Sequence, residues 1–304
     1  MKLFREIPHL TGLCAWALLL LAASCTWFDR PEALPVYLNF KGARVALNAD
    51  GTQTSPLGIK DFWMDHNGVG QGVYRLPAVI PLIPDANNRI TLAGGIYETG
   101  LSSVRSRYPF WEPVTYELGP DVQPLDTFTF QPTFRYYADT VLAYPLNETF
   151  EEASMSFVAG TGNNSADLVF SGNNALQGGY CGAVQFTADN YEFEALTTGY
   201  LSLPQRGNND VYLEISYRND IPFTVGLIAF NPFTSQLEDL PAGLYFNSDL
   251  VWNTVFIHIN DAVRQQAEGT LFRPYIRATS KDASTGAVRS GQLFLDNLRI
   301  VHFK

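Results

Sequence analysis

The sequence is poor in histidine and cysteine, with four of the first and three of the second among 304 residues. Beyond His9, the histidines at 66, 258 and 302 stand alone, and none has the His-x-x-x-His spacing that places two imidazoles on one metal. No Gly-x-Ser-x-Gly turn occurs, so a hydrolase built on a nucleophile elbow has no place for its serine. The stretches Gly160-Thr161-Gly162-Asn163-Asn164 and Gly172-Asn173-Asn174 lack the Gly-Lys-Ser/Thr of a phosphate cradle and read as loops. Basic runs are missing too, and the formal net charge is −10. That balance argues against nucleic acid and against charge-driven attachment to anionic headgroups. Sustained helical periodicity is scarce. The body of the chain offers one short candidate helix, 261–268, with Asn260 or Asp261 as cap and Gly269 as stop.

What is present begins at the amino terminus. Lys2 and Arg5 precede an apolar stretch over 10–22, then Ala22-Ala23-Ser24 and Cys25, the order of a secretory signal over residues 1–24. The stretch is too short to span a bilayer comfortably. This segment resembles a bacterial lipoprotein signal, with Leu21 one place further from the cysteine than usual. The resemblance implies cleavage before Cys25, acyl chains on its thiol and amino group, and residues 25–34 as a tether. Several acyl chains anchor far more firmly than one, at about 0.8 kcal/mol per buried methylene. Cys14 would leave with the signal and Cys25 carry lipid, so Cys181 is left without a disulfide partner and reads as a small buried hydrophobe.

The remainder reads as all-β, in two β-sandwich domains. Runs rich in Val, Ile, Tyr, Phe and Thr alternate with Gly, Asn, Asp and Pro clusters throughout. Residues 35–137 hold strands expected near 36–48, 78–83, 88–93, 113–118 and 126–137. They also hold a hairpin in which Asn67-Gly68 joins Phe62–Asp65 to Val73–Arg75. That spacing fits an immunoglobulin-like sandwich. Residues 138–146 read as a linker. The second domain, 147–304, shows alternating strands expected at 181–187, 198–203, 211–218, 223–230, 243–247, 253–259 and 272–279. In 211–217, Val211, Leu213, Ile215 and Tyr217 face one way, and Tyr212, Glu214 and Ser216 the other. The first set is expected in the core and the second in water.

Several short segments are similar in order to a family of uncharacterised Bacteroidota outer-membrane lipoproteins. They are Ile59-Lys60-Asp61-Phe62-Trp63, Gly72-Val73-Tyr74-Arg75-Leu76-Pro77-Ala78, Ile80-Pro81-Leu82-Ile83, Gly94-Gly95-Ile96 and Arg105-Ser106-Arg107-Tyr108-Pro109-Phe110. The hairpin followed by Leu-Pro also looks like a PEGA-type β-repeat. Phe150-Glu151 and Phe294-Leu295-Asp296-Asn297-Leu298-Arg299-Ile300 resemble the opening and closing strands of carbohydrate-binding jelly rolls. These resemblances imply a lipid-anchored protein of the outer membrane facing the cell surface, and no shared reaction.

The jelly-roll resemblance implies a structural calcium held by Glu151, with Glu148 and Glu152 as alternates, and by Asp296, since a hard cation gathers oxygens. Alternation would bring Tyr212, Glu214, His258, Tyr275 and Arg277 onto one wet concavity with Trp252 nearby. Aromatic faces beside hydrogen-bonding groups suit a sugar ring. Trp63, Trp111, Phe110 and Tyr108 read as packing residues. Three functions are expected in descending order: a non-enzymatic accessory subunit docked on an outer-membrane protein, a surface glycan binder, and a hydrolase with paired carboxylates in a cleft.

Overall fold

The Asn67-Gly68 dipeptide turns the chain as its residues predict: φ is 53° and 81°, the two left-handed values that a tight hairpin turn demands. In the computed structural model of the protein, residues 32–46, 54–55, 58–207 and 210–304 are described. The expected signal, Cys25 and most of the tether lie outside them.

In the first half the strands are β1 (Val36–Phe40), β2 (Arg44–Ala46), β3 (Thr54–Ser55), β4 (Asp61–His66), β5 (Val69–Arg75) and β6 (Ala78–Leu82). They continue as β7 (Asn88–Tyr97), β8 (Arg105–Arg107), β9 (Trp111–Glu112), β10 (Val114–Leu118), β11 (Thr127–Phe130) and β12 (Thr133–Tyr136). One sheet runs β10-β7-β4-β5, with β8 also on β7; β11-β1-β6 and β3-β2-β12-β9 form two others. The opening strands lie parallel to the closing ones, β1 on β11 and β2 on β12. Between the layers sit Leu38, Phe40, Phe62, Met64, Ile90, Leu92 and Phe134, each nearly or fully buried.

In the second half the strands are β13 (Leu142–Glu148), β14 (Phe157–Ala159), β15 (Leu168–Ser171), β16 (Cys181–Phe186), β17 (Glu192–Thr197) and β18 (Val211–Asn219). They are followed by β19 (Phe223–Asn231), β20 (Gln236–Phe246), β21 (Asp249–His258), β22 (Leu271–Thr279) and β23 (Gly291–Phe303). They build two antiparallel sheets, β15-β16-β23-β18-β21 with β13 also on β23, and β14-β17-β22-β19-β20. First and last strands meet, as expected, through pairs such as Leu142 with Phe303 and Glu148 with Leu298. The core between the sheets holds Phe186, Phe223, Phe272, Ile215, Leu213 and Leu295. The fold is thus all-β in two sandwiches.

Three expected boundaries move. The linker expected over 138–146 is strand from Leu142 onward, because the long β23 offers it a free edge. The strand expected at 198–203 lies instead at Glu192–Thr197, with Leu201 making only an isolated bridge to Phe272. The helix is shorter, α1 (Asn260–Arg264), and has no side-chain cap bond. Asn260 is occupied elsewhere: its Oδ1 accepts from the amide of Val211 at 2.6 Å and its Nδ2 donates to Asp210 at 3.2 Å. Fixing the start of β18 outweighed capping one helical turn. No helix among the described residues is long and apolar enough to cross a membrane.

Candidate functional site

Alternation along β18 sorts the side chains as expected. Val211, Leu213 and Ile215 enter the core of the second sandwich, and Tyr212 and Glu214 point away from it. That second direction, however, leads into the first sandwich. Tyr212 and Glu214 are both 3% exposed. Tyr212, Phe256 and Val301 from this sheet belong to the hydrophobic core of the first half. Tyr108 packs on both Tyr212 and Phe256, with ring centroids 5.2 and 4.7 Å away. The chain of Glu98–Thr99 lies along Phe256, where the amide of Thr99 donates to its carbonyl at 2.8 Å. The expected wet face is the seam between the halves.

The seam buries charge. Glu214 accepts from the Tyr108 hydroxyl at one carboxylate oxygen, and from the Tyr136 hydroxyl at 2.8 Å at the other. Arg299 Nε lies 3.5 Å away and supplies the opposite charge. Burial raises the Glu214 carboxyl above its ordinary range, against the lowering pull of Arg299 and the two phenols. His258, stacked on Tyr212 at 4.7 Å, sits between Glu98 at 3.2 Å and Asp210 at 3.3 Å. These residues cement the two halves. The glycan-contact role expected of Tyr212 and Glu214 is therefore corrected, since neither has an open face; His258 stays partly exposed, held between the two carboxylates.

Tyr275 and Arg277 lie on the other sheet, so the expected six-residue cluster is split. Trp252 does share a sheet with Tyr212, but at the far end of β21, where the Arg218 guanidinium lies 5.8 Å from its ring. Six residues at about 3.3 Å each put roughly 20 Å between it and His258.

The free face of the five-stranded sheet is built from β17, β22, β19 and β20. Across it, Glu194 pairs with Arg277, Arg277 with Thr224, and Thr224 with Tyr245. Arg277 Nε donates to Glu194 at 2.6 Å, and its Nη1 donates to Asp239. Tyr275 lies flat beneath, its hydroxyl donating to Asp239 at 2.8 Å and its ring 3.8 Å from the Arg277 carbon. Gly226 makes this possible, because any Cβ there would strike the Tyr275 ring. Burial opposes ionisation of Asp239, but the hydrogen bonds from Arg277 and Tyr275 outweigh it and hold the carboxyl below its ordinary range. Burial and the same hydrogen bond push the Tyr275 phenol up to about 12. Arg277 is thus fixed by two carboxylates and an aromatic face.

Beside it opens a groove of about 640 Å³ lined by Glu192, Glu194, Thr224, Tyr245, Arg277 and Thr279, with the 160–165 loop as its wall. Tyr245 is 63% exposed. Further along the same face, the rings of Tyr200 and Phe230 lie 5.3 Å apart. Sequence reading found Tyr275 and Arg277 but missed Glu194, Asp239, Thr224 and Tyr245. The alternation Glu192, Glu194, Leu196 was the available signal.

The expected calcium ligands are also placed. Asp296 Oδ2 accepts from the amides of Leu176 and Gln177 at 2.9 and 3.2 Å, while its Oδ1 is buried with no hydrogen-bond partner. Glu151 Oε1 accepts from the amides of Gly179 and Tyr180, both at 2.9 Å. Burial, with a contribution from nearby Glu151, pushes the Asp296 carboxyl up to about 6. An orphaned carboxylate oxygen beside a second acid fits a hard cation, with backbone carbonyls completing the shell. No cluster of three His, Cys, Asp or Glu groups around a metal position occurs among the described residues. Glu148, the alternate, has both oxygens engaged: its carboxylate caps the amides of Phe150, at 2.6 Å, and Ser156. Cys181 is free and buried, its thiol raised to about 11 by burial first and by Asp296 second.

No protein-family model matches the chain, and no curated protein does. Among solved structures, it is similar to the xylan-binding CBM22-1 domain of Paenibacillus barcinonensis Xyn10C, at 12% identity and TM-score 0.38. That match covers 53% of this chain and 96% of that one. The family 11 carbohydrate-binding module of Clostridium thermocellum, in complex with a β-1,3-1,4-mixed-linked tetrasaccharide, matches at 10% identity and TM-score 0.36, covering 53% and 95%. A β-sandwich carbohydrate-binding module studied for promiscuous specificity matches at 11% and 0.38, covering 89% and 99%. At this level of superposition their ligands do not transfer to this chain.

Proposed function

We propose that this protein is a non-catalytic glycan binder whose contact surface is the free face of the five-stranded sheet. The observation that carries this reading is the groove at Arg277. A guanidinium pinned by Glu194 and Asp239 stands beside Thr224, Thr279 and the exposed ring of Tyr245. A sugar needs an apolar face for its C–H surface and fixed donors and acceptors for its hydroxyls, and this arrangement offers both, with Arg277 already held in place. The test is calorimetric titration of the full chain against a panel of neutral oligosaccharides. A Tyr245→Ala or Arg277→Ala variant should lose at least about tenfold in affinity for whichever oligosaccharide binds. Equal binding by wild type and both variants would refute the assignment.

Two further parts of the proposal rest on the sequence. Cys25 carries the lipid that holds the protein at the outer membrane, facing outward, so Cys25→Ala should move it to the soluble fraction. Glu151 and Asp296 hold a calcium ion that would neutralise their mutual repulsion and secure the 176–180 loop to β23. A docked outer-membrane protein, the accessory-subunit reading, would be recovered with the lipidated chain in mild detergent and lost with the Cys25→Ala variant.

A further inference from the structure

Between the two halves, on the side of the seam away from His258, lies a cleft of about 610 Å³. It is flanked by the end of β12, the turn into β13 and the middle of β23. Its volume falls within the range of small-molecule sites, roughly 300–1,000 Å³. Arg299 forms part of its wall, with a side chain 12% exposed.

Arg299 is incompletely used by the protein. Its counter-ion, Glu214, spends one oxygen on Tyr108 and the other on Tyr136. Arg299 Nε is buried with no hydrogen-bond partner, and the guanidinium donates no hydrogen bond to any described residue. Its other contact is the Tyr136 ring, 5.2 Å from the guanidinium carbon. A guanidinium carries five N–H donors, and leaving buried donors unmade is costly. Nε is turned to Glu214, while the terminal N–H groups, which no described residue accepts from, can meet an acceptor in the cleft.

We infer that this cleft is a second binding site, for an acidic saccharide whose carboxylate pairs with Arg299. The rest of the lining fits the sugar. Tyr144 offers a ring and a hydroxyl, and Asn147 and Asn297 offer amides that both donate and accept. The rim adds no positive charge: Arg135 lies opposite Glu112 across the β12–β9 pair, and Asp139, exposed at the edge, leaves one carboxylate in excess. Selection for an anion therefore falls to the guanidinium, whose planar fork matches a carboxylate better than an ammonium would. The site is separate from the Arg277 groove, which lies on the other sheet of the second half.

The experiment is titration of the full chain with short oligogalacturonates and with their methyl esters, which keep the skeleton and remove the charge. The free acids should bind at least about tenfold more tightly than the esters. Asn147→Trp, which fills the mouth from an exposed position, should abolish acid binding, and Arg277→Ala should leave it unchanged. Arg299→Gln should equalise acid and ester; if that variant fails to fold, the Asn147→Trp result decides alone. No binding of the acids at millimolar concentration, equal binding of acid and ester by wild type, or binding indifferent to Asn147→Trp would each overturn the inference.

Discussion

The molecule contains the same trio twice, a carboxylate, an arginine and a tyrosine hydroxyl, and the two copies behave in opposite ways. At the seam, Glu214 with Arg299 and Tyr136 is sealed from water, and burial raises its carboxyl. On the free sheet, Asp239 with Arg277 and Tyr275 keeps contact with solvent, and hydrogen bonding lowers its carboxyl. Residue identity did not set the direction; the depth of burial did. A sealed trio is a joint whose failure would unfold the molecule, and an open one is a surface whose charge stays available to a ligand.

The comparison can be broken hardest at Glu214. Glu214→Ala leaves Arg299 buried without a counter-ion and should cost about 3–5 kcal/mol in urea unfolding. A loss below 1 kcal/mol would show that the seam is wetter than described. Asp296 comes next. Its folded pKa, about 6, lies above its unfolded value of 3.8. Its contribution is therefore complete below pH 3.8 and disappears as pH rises through 6, an effect on the order of 2–3 kcal/mol. Melting curves in chelator and in calcium should diverge over that window, since the ion binds the ionised form. Curves that stay parallel from pH 4 to 8 would remove calcium from the account. Tyr136→Phe deletes one hydrogen bond to a charged acceptor and should cost about 1.5–3 kcal/mol. The smallest effect belongs to the open trio: Arg277→Ala should change stability by no more than about 1 kcal/mol while lowering the affinity for any oligosaccharide the groove binds. Should Arg277→Ala destabilise as much as Glu214→Ala, the contrast between joint and surface fails.

Legibility in the sequence followed the range of the forces involved. The Asn67-Gly68 hairpin is local and was readable, as was the period-two alternation of Val211 to Tyr217. What alternation could not tell was what lies opposite the second face of β18. Glu214 meets Tyr108 across 106 residues of chain, and no local pattern marks that contact. For the same reason Tyr275 and Arg277 were placed with Tyr212: strand identity was legible, sheet membership was not. Of the four rings expected to pack, Trp111, Phe110 and Tyr108 are buried, as the abundance of aromatics in β-sandwich cores suggests, while Trp63 is half-buried with the Arg107 guanidinium 5.8 Å from its ring. Glu194 and Asp239 were missed because an acid on a strand face is unremarkable until the arginine between them is known.

The longest strand has a consequence for the order in which the molecule can be made. Val301 and Phe303 of β23 lie in or against the core that opens at Val36 and Leu38, with Phe303 4.9 Å from Phe110. The core of the first sandwich is therefore complete only once β18, β21 and the end of β23 have packed against it. Contacts of such long sequence separation slow folding. The half that comes first in the chain is the half whose core is completed last.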